Sequence, residues 1–306
     1  MIVINESFVA ELRRVLRPEQ LMVDEPMRAH TTFRIGGPAD YLIFPSTRED
    51  VRMVFRLLRQ YGIPVTVLGN GSNVLVRDKG IRGAVLKFNG PFSEMRQEAD
   101  CIVAGAGALL KDVSHFAADC GLSGMEFAVG IPGSIGGAVF MNAGAYDGEM
   151  KQVISKVYAV GADGAYAELE ADALDLGYRH SVFQTNGQVI CEVVLRLVPG
   201  KPEDIRAKMD DFTQRRESKQ PLEMPSAGST FKRPTGHFAG TLIDQTGLKG
   251  LRVGDAMVST KHAGFVVNAG NATAADVLGL IAEVQRRVHE VHGVKLYPEV
   301  RIIGEE

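Results

Sequence analysis

The chain has 306 residues, 45% hydrophobic and 23% charged, with a formal net charge of −3. That is the balance of a globular protein long enough for two or three domains, and it gives no electrostatic support to general nucleic-acid binding. Cys101, Cys120 and Cys191 stand far apart with no CxxC pair, so neither a zinc site nor a disulfide framework is expected, and no apolar run reaches the length of a membrane helix.

The first ten residues lack the basic-then-apolar pattern of a signal peptide, which points to the cytoplasm. Apolar residues Phe8, Val9, Leu12, Val15 and Leu16 recur at helical spacing, predicting a helix over Asn5–Leu16 that Pro18 stops. Ala39–Pro45 reads as a strand. Ser46–Tyr61 reads as an amphipathic helix, capped by Ser46 or Thr47 and ended by Gly62. Strands are expected at Val65–Leu68, Val74–Arg77 and Gly83–Phe88, completing a β-α-β-β unit. A second unit offers a strand at Cys101–Ala104, a helix at Leu109–Cys120 and a glycine-rich stretch from Gly124 to Ala145. A hairpin of Val153–Val160 and Ala165–Leu169 turns around Ala162-Asp-Gly164, and Gln188–Leu197 adds a strand. The Pro- and Gly-rich stretch Val198–Pro202 marks a boundary before a charged helix at Glu203–Ser218. Thr273–His292 reads as a long helix with Val277, Leu280, Ile281, Val284 and Val288 on one face, followed by a final strand over Lys295–Ile303.

Three glycine clusters suggest close approach of backbone to a ligand. Leu68-Gly-Asn-Gly-Ser-Asn-Val74 joins two apolar strands, so its amides can form an anion-binding nest, although a plain hairpin turn has the same composition. It is not a dinucleotide fingerprint, because a strand and not a helix follows. Gly130-Ile-Pro-Gly-Ser-Ile-Gly-Gly-Ala138, continuing through Asn142-Ala-Gly-Ala-Tyr146, presents amides unobstructed by side chains. A short helix starting there would aim its positive end at a phosphate. Two such clusters suit a dinucleotide better than one phosphate. Thr31-Thr-Phe-Arg-Ile-Gly-Gly-Pro38 places Arg34 before flexible backbone, and Gly105-Ala-Gly107 is a weaker match.

Three further segments could carry chemistry: Gly177–Phe183 with Arg179, Pro225–Pro234 with Ser226, Ser229 and Thr230 near Lys232 and Arg233, and Leu296–Arg301 with Glu299. No Gly-x-Ser-x-Gly elbow surrounds Ser229, so a hydrolase triad is not supported. His289 and His292 share a helix without a third ligand nearby, so no metal is expected.

In their order and spacing, Thr32–Pro38, Leu68–Val74, Gly130–Gly137, Gly177-Tyr-Arg179, Ser226-Ala-Gly-Ser229 and Pro298-Glu299 closely resemble the bacterial UDP-N-acetylenolpyruvoylglucosamine reductases. The resemblance runs from about Thr31 to Gly304, and Ala239–Gly250 and Lys261–Asn268 are similar to that family's substrate domain. It implies an α+β fold: a two-subdomain, vanillyl-alcohol-oxidase-type FAD-binding region over residues 1–200, with subdomains of about 1–90 and 91–200. A C-terminal α+β substrate-binding domain over 201–294 and a strand at 295–306 returning to the active site would follow. The implied reaction takes electrons from NADPH through FAD to the enolpyruvyl ether of a UDP-sugar, forming UDP-N-acetylmuramate for peptidoglycan precursor synthesis.

By the same resemblance, Ser229 is the proton donor, and Arg179 and Glu299 stabilise the enolate at the substrate carboxyl, with Glu299 at least partly protonated in the complex. FAD would contact Arg34, Leu68, Gly69, Asn70, Gly71, Ser72 and Asn73. It would also contact Gly130, Ile131, Pro132, Gly133, Ser134, Gly136, Gly137, Asn142, Ala143, Gly144 and Tyr146. Tyr178, Lys219, Lys232, Arg233 and His262 would bind substrate, Lys219 and Arg233 neutralising its diphosphate. Leu197–Pro202 runs straight into the next helix and leaves no room for the tyrosine loop of one family branch, so the chain resembles the shorter branch. A different oxidase of this flavin fold, with FAD linked through His or Cys, is disfavoured because neither residue lies inside the glycine clusters. No nucleic acid or membrane partner is expected, and the working form is expected to be a monomer.

Overall fold

A computed structural model describes residues 4–306. Helix α1 (Glu6–Val15) buries Phe8, Val9 and Leu12, and the Asn5 side chain accepts a hydrogen bond from Phe8 N–H at its start. Helix α2 (Arg48–Tyr61) begins at Thr47, whose hydroxyl accepts from Asp50 N–H, and ends at Gly62 with φ +63°. A left-handed residue at that place favours glycine, which has no Cβ to clash.

The chain divides into two compact units. The first comprises residues up to Val23, Asp40–Asn70 and Gly83–Arg215. One sheet is ordered β1-β2-β5-β3, from β1 (Leu21–Pro26), β2 (Pro38–Ile43), β3 (Val65–Leu68) and β5 (Ile81–Lys87), with β3 and β5 parallel. A five-stranded antiparallel sheet is ordered β12-β11-β13-β7-β6. Its strands are β6 (Met95–Glu98), β7 (Cys101–Gly105), β11 (Ile154–Val160), β12 (Tyr166–Glu170) and β13 (Val189–Arg196). The hairpin β11–β12 turns through Ala162-Asp-Gly164, as the sequence indicates, with Val160 opposite Tyr166. Short pairs join β8 (Leu122–Ser123) to β14 (Val198–Pro199) and β9 (Gly144–Ala145) to β10 (Gly148–Glu149). Helices α3 (Leu110–Asp119) and α4 (Ile135–Met141) pack into the same apolar core. Helix α5 (Pro202–Lys219) adds Ile205, Met209 and Phe212 to it, so the division falls inside the helix, after Arg215.

The second unit gathers Asp24–Ala39, Gly71–Arg82 and Arg216–Glu306. Its antiparallel sheet is ordered β15-β18-β17-β16, from β15 (Ser226–Ser229), β16 (Arg252–Val253), β17 (Ala256–Val258) and β18 (Phe265–Asn268). Helices α6 (Ala239–Gln245) and α7 (Ala274–His292) supply Leu242, Ile243, Val277, Leu280, Ile281, Val284 and Val288 to a second core with Phe33, Ile35, Leu75 and Phe231. Thr273 and Asp276 form a capping box at the start of α7, and Gly293 ends it.

Two expectations need correction, and one strand goes unread. The strand β4 (Val74–Val76) does not join β3 and β5; it pairs in parallel with β19 (Arg301–Ile303), more than two hundred residues away. The β-α-β-β unit read from the first 88 residues therefore lacks its third local strand. The tail is strand only over Arg301–Ile303: Tyr297 O accepts from Lys232 N–H and Glu299 N–H donates to Thr230 O, but Pro298 between them has no N–H to extend a ladder. Strand β1 has no strand signal in the sequence, because Leu21–Pro26 carries Asp24 and Glu25 and ends in proline.

Candidate active site

In the first unit, Gly69 and Asn70 of one glycine cluster meet Pro132 and Ser134 of the other. The Asn70 side-chain amide donates to Pro132 O at 2.7 Å. A Cβ on Gly69 would stand 2.5 Å from Ser134 Oγ, so a larger residue there would displace the Ser134 hydroxyl. On its other side the second cluster zips to Ala106–Leu110: Leu110 N–H donates to Gly133 O, Ile135 N–H to Ala108 O and Gly136 N–H to Ala106 O, all at 2.8–2.9 Å. A Cβ on Gly136 would meet Ala106 Cβ at 2.9 Å. Ser134 caps α4, its hydroxyl accepting from Gly137 N–H. Gly105 and Gly107 have a different task. Their N–H groups donate to Glu94 O and Phe92 O, and a Cβ on either would strike the backbone of Phe92 or Phe88. They are packing glycines.

The amides of Gly69, Asn70, Gly133 and Ser134 make no hydrogen bond to any other described residue. Four such donors on two mutually braced loops, with no acidic side chain in either loop, have the donor chemistry a phosphate requires. The first unit therefore fits a phosphate-bearing cofactor, and Gly137, whose nearest neighbour in the Cβ direction is Ser134 Oγ at 3.4 Å, adds open backbone beside them. Within the second unit, Gly71 has φ +71° and a Cβ there would lie 2.5 Å from His30 O; Ser72 and Asn73 follow it into β4. Arg34 is exposed on a left-handed turn with φ +56°.

The end of the second cluster serves a linking role. Asn142 is buried in the left-handed conformation at the end of α4. Its amide nitrogen donates to Glu149 Oε2 and to Gly177 O, both at 3.1 Å, and its oxygen accepts from Lys151 N–H. Ala143 N–H donates to Ala138 O, and Gly144 packs on Gly148 O. Tyr146 stacks on Phe212 at 4.4 Å, and its hydroxyl donates to Phe212 O.

Gly177 and His180 exchange backbone hydrogen bonds, leaving Tyr178 and Arg179 at the tip of a two-residue turn. Arg179 has φ +54°, a conformation that costs energy for a residue with a Cβ and is held here by its surroundings. Ser181 Oγ and Gln184 Nε2 donate to Phe140 O, and Gln184 also donates to Arg179 O. Together with the Asn142–Gly177 bond, these fasten the Tyr178–Arg179 tip to the C-terminal end of α4. The sequence gives no signal for Ser181 or Gln184 in this role, because the acceptor lies about forty residues upstream.

In the second unit, Ser229 lies at the end of β15, opposite Phe265, past a register shift that includes Gly228 at φ +75°. The bulge turns Ser229 outward: the residue is exposed, and its hydroxyl bonds to no other described residue. Thr230 is buried, accepts Val266 N–H on its hydroxyl and takes Glu299 N–H on its carbonyl at 2.8 Å. Ser229 and Glu299 are thus held on adjoining backbone. Lys232 and Arg233 continue the segment as exposed cations, and Lys219 is exposed at the end of α5.

His262 is clamped. Cβ atoms on Gly240 and Gly264 would approach its ring to 3.2 and 3.0 Å, and Phe265 packs edge-on at 5.0 Å. Its Nδ1 accepts Gly264 N–H at 3.1 Å, so the neutral ring carries its proton on Nε2. Burial holds its pKa below the usual histidine range. Burial likewise pushes the Cys191 thiol up to about 12, which removes it as a nucleophile. Among the described residues no three His, Cys, Asp or Glu side chains cluster as a metal site, and no helix is long and apolar enough to cross a membrane. Unforeseen structural anchors are Asp78, which accepts the first two amides of α7, and Asn268, which binds Gly270 N–H, Ala272 N–H and Phe33 O.

Comparison with known proteins agrees with this division of labour. Residues 39–170 match the family of FAD binding domains, and residues 220–303 match the C-terminal domain of UDP-N-acetylenolpyruvoylglucosamine reductase. The chain is 54% identical over 300 residues to the UDP-N-acetylenolpyruvoylglucosamine reductase of Clostridium perfringens, covering 98% of each chain. It is 49% identical over 302 residues to that of Staphylococcus aureus, covering 99% of this chain and 98% of the other. Among solved structures, UDP-N-acetylenolpyruvylglucosamine reductase from Thermus caldophilus matches with a TM-score of 0.79 and 40% identity, over 92% of this chain and 97% of that one. An alkyldihydroxyacetonephosphate synthase, at 18% identity and a TM-score of 0.51 over 65% of this chain and 41% of its own, shares the fold of that part.

Proposed function

The chain belongs to the UDP-N-acetylenolpyruvoylglucosamine reductase family, and from that premise we propose that this FAD-dependent oxidoreductase takes its electrons from NADPH and protonates its product through Ser229. The reaction is reduction of the enolpyruvyl ether of UDP-N-acetylglucosamine to the lactyl ether of UDP-N-acetylmuramate, in peptidoglycan precursor synthesis. The observation that carries the assignment is Ser229 itself. Its hydroxyl is exposed, bonded to no other described residue, and carried on backbone adjoining Glu299.

The FAD region is assigned to residues 1–200, the substrate-binding domain to 201–294 and the returning segment to 295–306. The amides of Gly69, Asn70, Gly133 and Ser134 would hold the cofactor diphosphate, with Gly71, Ser72, Asn73, Gly130, Gly137 and Arg34 contributing further contacts. When bound, FAD supplies the hydride for the enolpyruvyl group.

The remaining steps fall to side chains. Hydride addition leaves negative charge on the substrate as an enolate, which a fixed cation stabilises best where it does not have to reorganise. Arg179 meets that need, because its turn is fastened by Asn142, Ser181 and Gln184. Glu299 acts with it at the substrate carboxyl. Ser229 gives its proton to the neighbouring carbon; a serine hydroxyl is a weak acid, and an enolate carbon is basic enough to take it. Tyr178, Lys219, Lys232, Arg233 and His262 bind the UDP-sugar. His262 does so as a neutral donor through Nε2–H, and Lys219 and Arg233 offset the diphosphate charge. The working form is a cytoplasmic monomer; gel filtration at the mass of one chain, 33.1 kDa, checks the oligomeric part.

Separated half-reactions test the proposal. The purified protein should be yellow, NADPH should bleach it, and the enolpyruvyl sugar should restore the colour. A protein that binds flavin but is not reoxidised by that sugar would count against the substrate assignment.

A further inference from the structure

Beyond Ser229 and Glu299, the second unit exposes a side chain that the proposed mechanism leaves unused. Phe238 is 60% exposed, immediately before α6. Single exposed apolar residues are common, so exposure alone says little; what sets Phe238 apart is the cation stacked on it beside the Ser229 segment. The Arg233 guanidinium lies over the ring, 4.0 Å from its centroid. The loop between them is closed by His237 N–H donating to Pro234 O and by Gly236 at φ +74°. A cation over one face leaves the opposite face and the edges to account for the exposure.

The place of this pair in the chain gives it meaning. Lys232 N–H donates to Tyr297 O, and Glu299 N–H donates to Thr230 O, so the backbone that carries Ser229 and Glu299 runs directly into Lys232, Arg233 and the loop ending at Phe238. Reacting hydroxyl, then cations, then a stacked aromatic is the order of chemistries a nucleoside diphosphate sugar presents: reacting group, diphosphate, base. We propose that Phe238 is the stacking platform for the uracil of the substrate, with Arg233 fixing the ring while it faces the diphosphate. The proposal rests on the UDP-sugar reading above and extends it to the base, to which no other residue has been assigned.

Stacking needs only a π-face, so aromatic replacements should serve and aliphatic ones should not. The test uses flavin-loaded protein and two probes, UDP and inorganic pyrophosphate, with binding followed by calorimetry. Phe238→Ala should weaken UDP by about 5- to 150-fold, the equivalent of one base–aromatic stack, and leave pyrophosphate unchanged. Phe238→Trp should bind UDP within a few-fold of the parent. In turnover, Phe238→Ala should raise KM for the enolpyruvyl sugar far more than it lowers kcat. Unchanged UDP affinity in Phe238→Ala would overturn the platform, and so would equal weakening of UDP and pyrophosphate, which would make Phe238 a prop for the cations. Loss of UDP binding in Phe238→Trp as severe as in Phe238→Ala would do the same. If the parent protein binds no UDP, the substrate reading itself fails, and that outcome is separate from the others. Unfolding temperatures of the variants should match the parent, because so exposed a ring contributes little to the core.

Discussion

The glycine loops of the first unit and the Ser229 strand of the second solve opposite problems. Around Gly69 and Ser134 the side chains have been removed so that main chain can meet main chain, and what remains on offer is a set of amides. Around Ser229 the main chain is bulged so that one side chain can stand clear of it. Holding a large, resident cofactor favours fixed backbone dipoles, which lose no side-chain entropy on binding. Moving a proton demands a functional group, and that group must be free of internal partners to reach its acceptor. Substitutions should therefore fail differently in the two regions: chemistry without cofactor loss in one, cofactor loss without specific chemical damage in the other.

The sharpest separation comes from Ser229→Ala. Reduction of the flavin by NADPH should stay near the parent rate, while reoxidation by the enolpyruvyl sugar should fall by about 10²–10⁴-fold, the usual contribution of a positioned acid. Stopped-flow absorbance resolves both steps, and equal loss in each would remove the distinction between the regions. Next is Gly136→Ala. Its Cβ would meet Ala106 Cβ at 2.9 Å and Ala106 O at 3.0 Å, neither of which can swing away. A cost of about 1–3 kcal/mol is expected from such overpacking, seen as a lower unfolding temperature and reduced flavin content. Gly137→Ala, with no contact closer than 3.4 Å, should leave the flavin-free protein as stable as the parent. Any flavin lost from that variant then reports on the ligand alone.

Asn142→Gly probes the bridge between the glycine cluster and the Arg179 turn. Glycine accepts the left-handed backbone, so the experiment removes the hydrogen bonds without adding strain. Leaving buried partners unsatisfied should cost about 1–3 kcal/mol, and kcat should fall as the Arg179 tip loosens. The smallest effect concerns His262. Its folded-state pKa is depressed, so the unfolded chain binds the proton first as pH drops. Stability should fall as pH goes below about 6.5 and level off once the folded-state ring also protonates, with a slope no steeper than about 1.4 kcal/mol per pH unit. His262→Gln should flatten that part of the pH–stability curve in chemical denaturation.

What the sequence makes legible divides along the same line. Helices α2 and α7 are readable to within a residue or two, because Thr47, Gly62, Thr273 and Gly293 act on their immediate neighbours. The hairpin β11–β12 is readable for the same reason. The glycine clusters stand out by composition, yet composition does not say which glycine does what. Gly105 and Gly107 look like ligand-binding residues and are packing ones, a distinction that depends on Phe88 and Phe92 in another segment. The pairing of β4 with β19, the Asp78 cap on α7 and the Gln184 hold on Arg179 join positions far apart in the chain, and no local period encodes them. Phe238 escapes for the converse reason: a single aromatic beside a helix start reads as core until its exposure is known.

The parallel pairing of β4 with β19 also bears on how the molecule is made. Arg301 N–H donates to Asn73 O, Arg77 N–H to Ile303 O and Glu305 N–H to Gly80 O, so the segment around Val74–Val76 is stitched to residues translated long after it. At about 5–20 residues per second, a ribosome that has finished Val76 needs roughly 10–45 s to reach Ile303. Throughout that interval Phe33, Ile35 and Leu75 wait without most of the core that will bury them. The nascent chain thus carries a sticky, half-built domain over that interval, and chaperone dependence should be read out there.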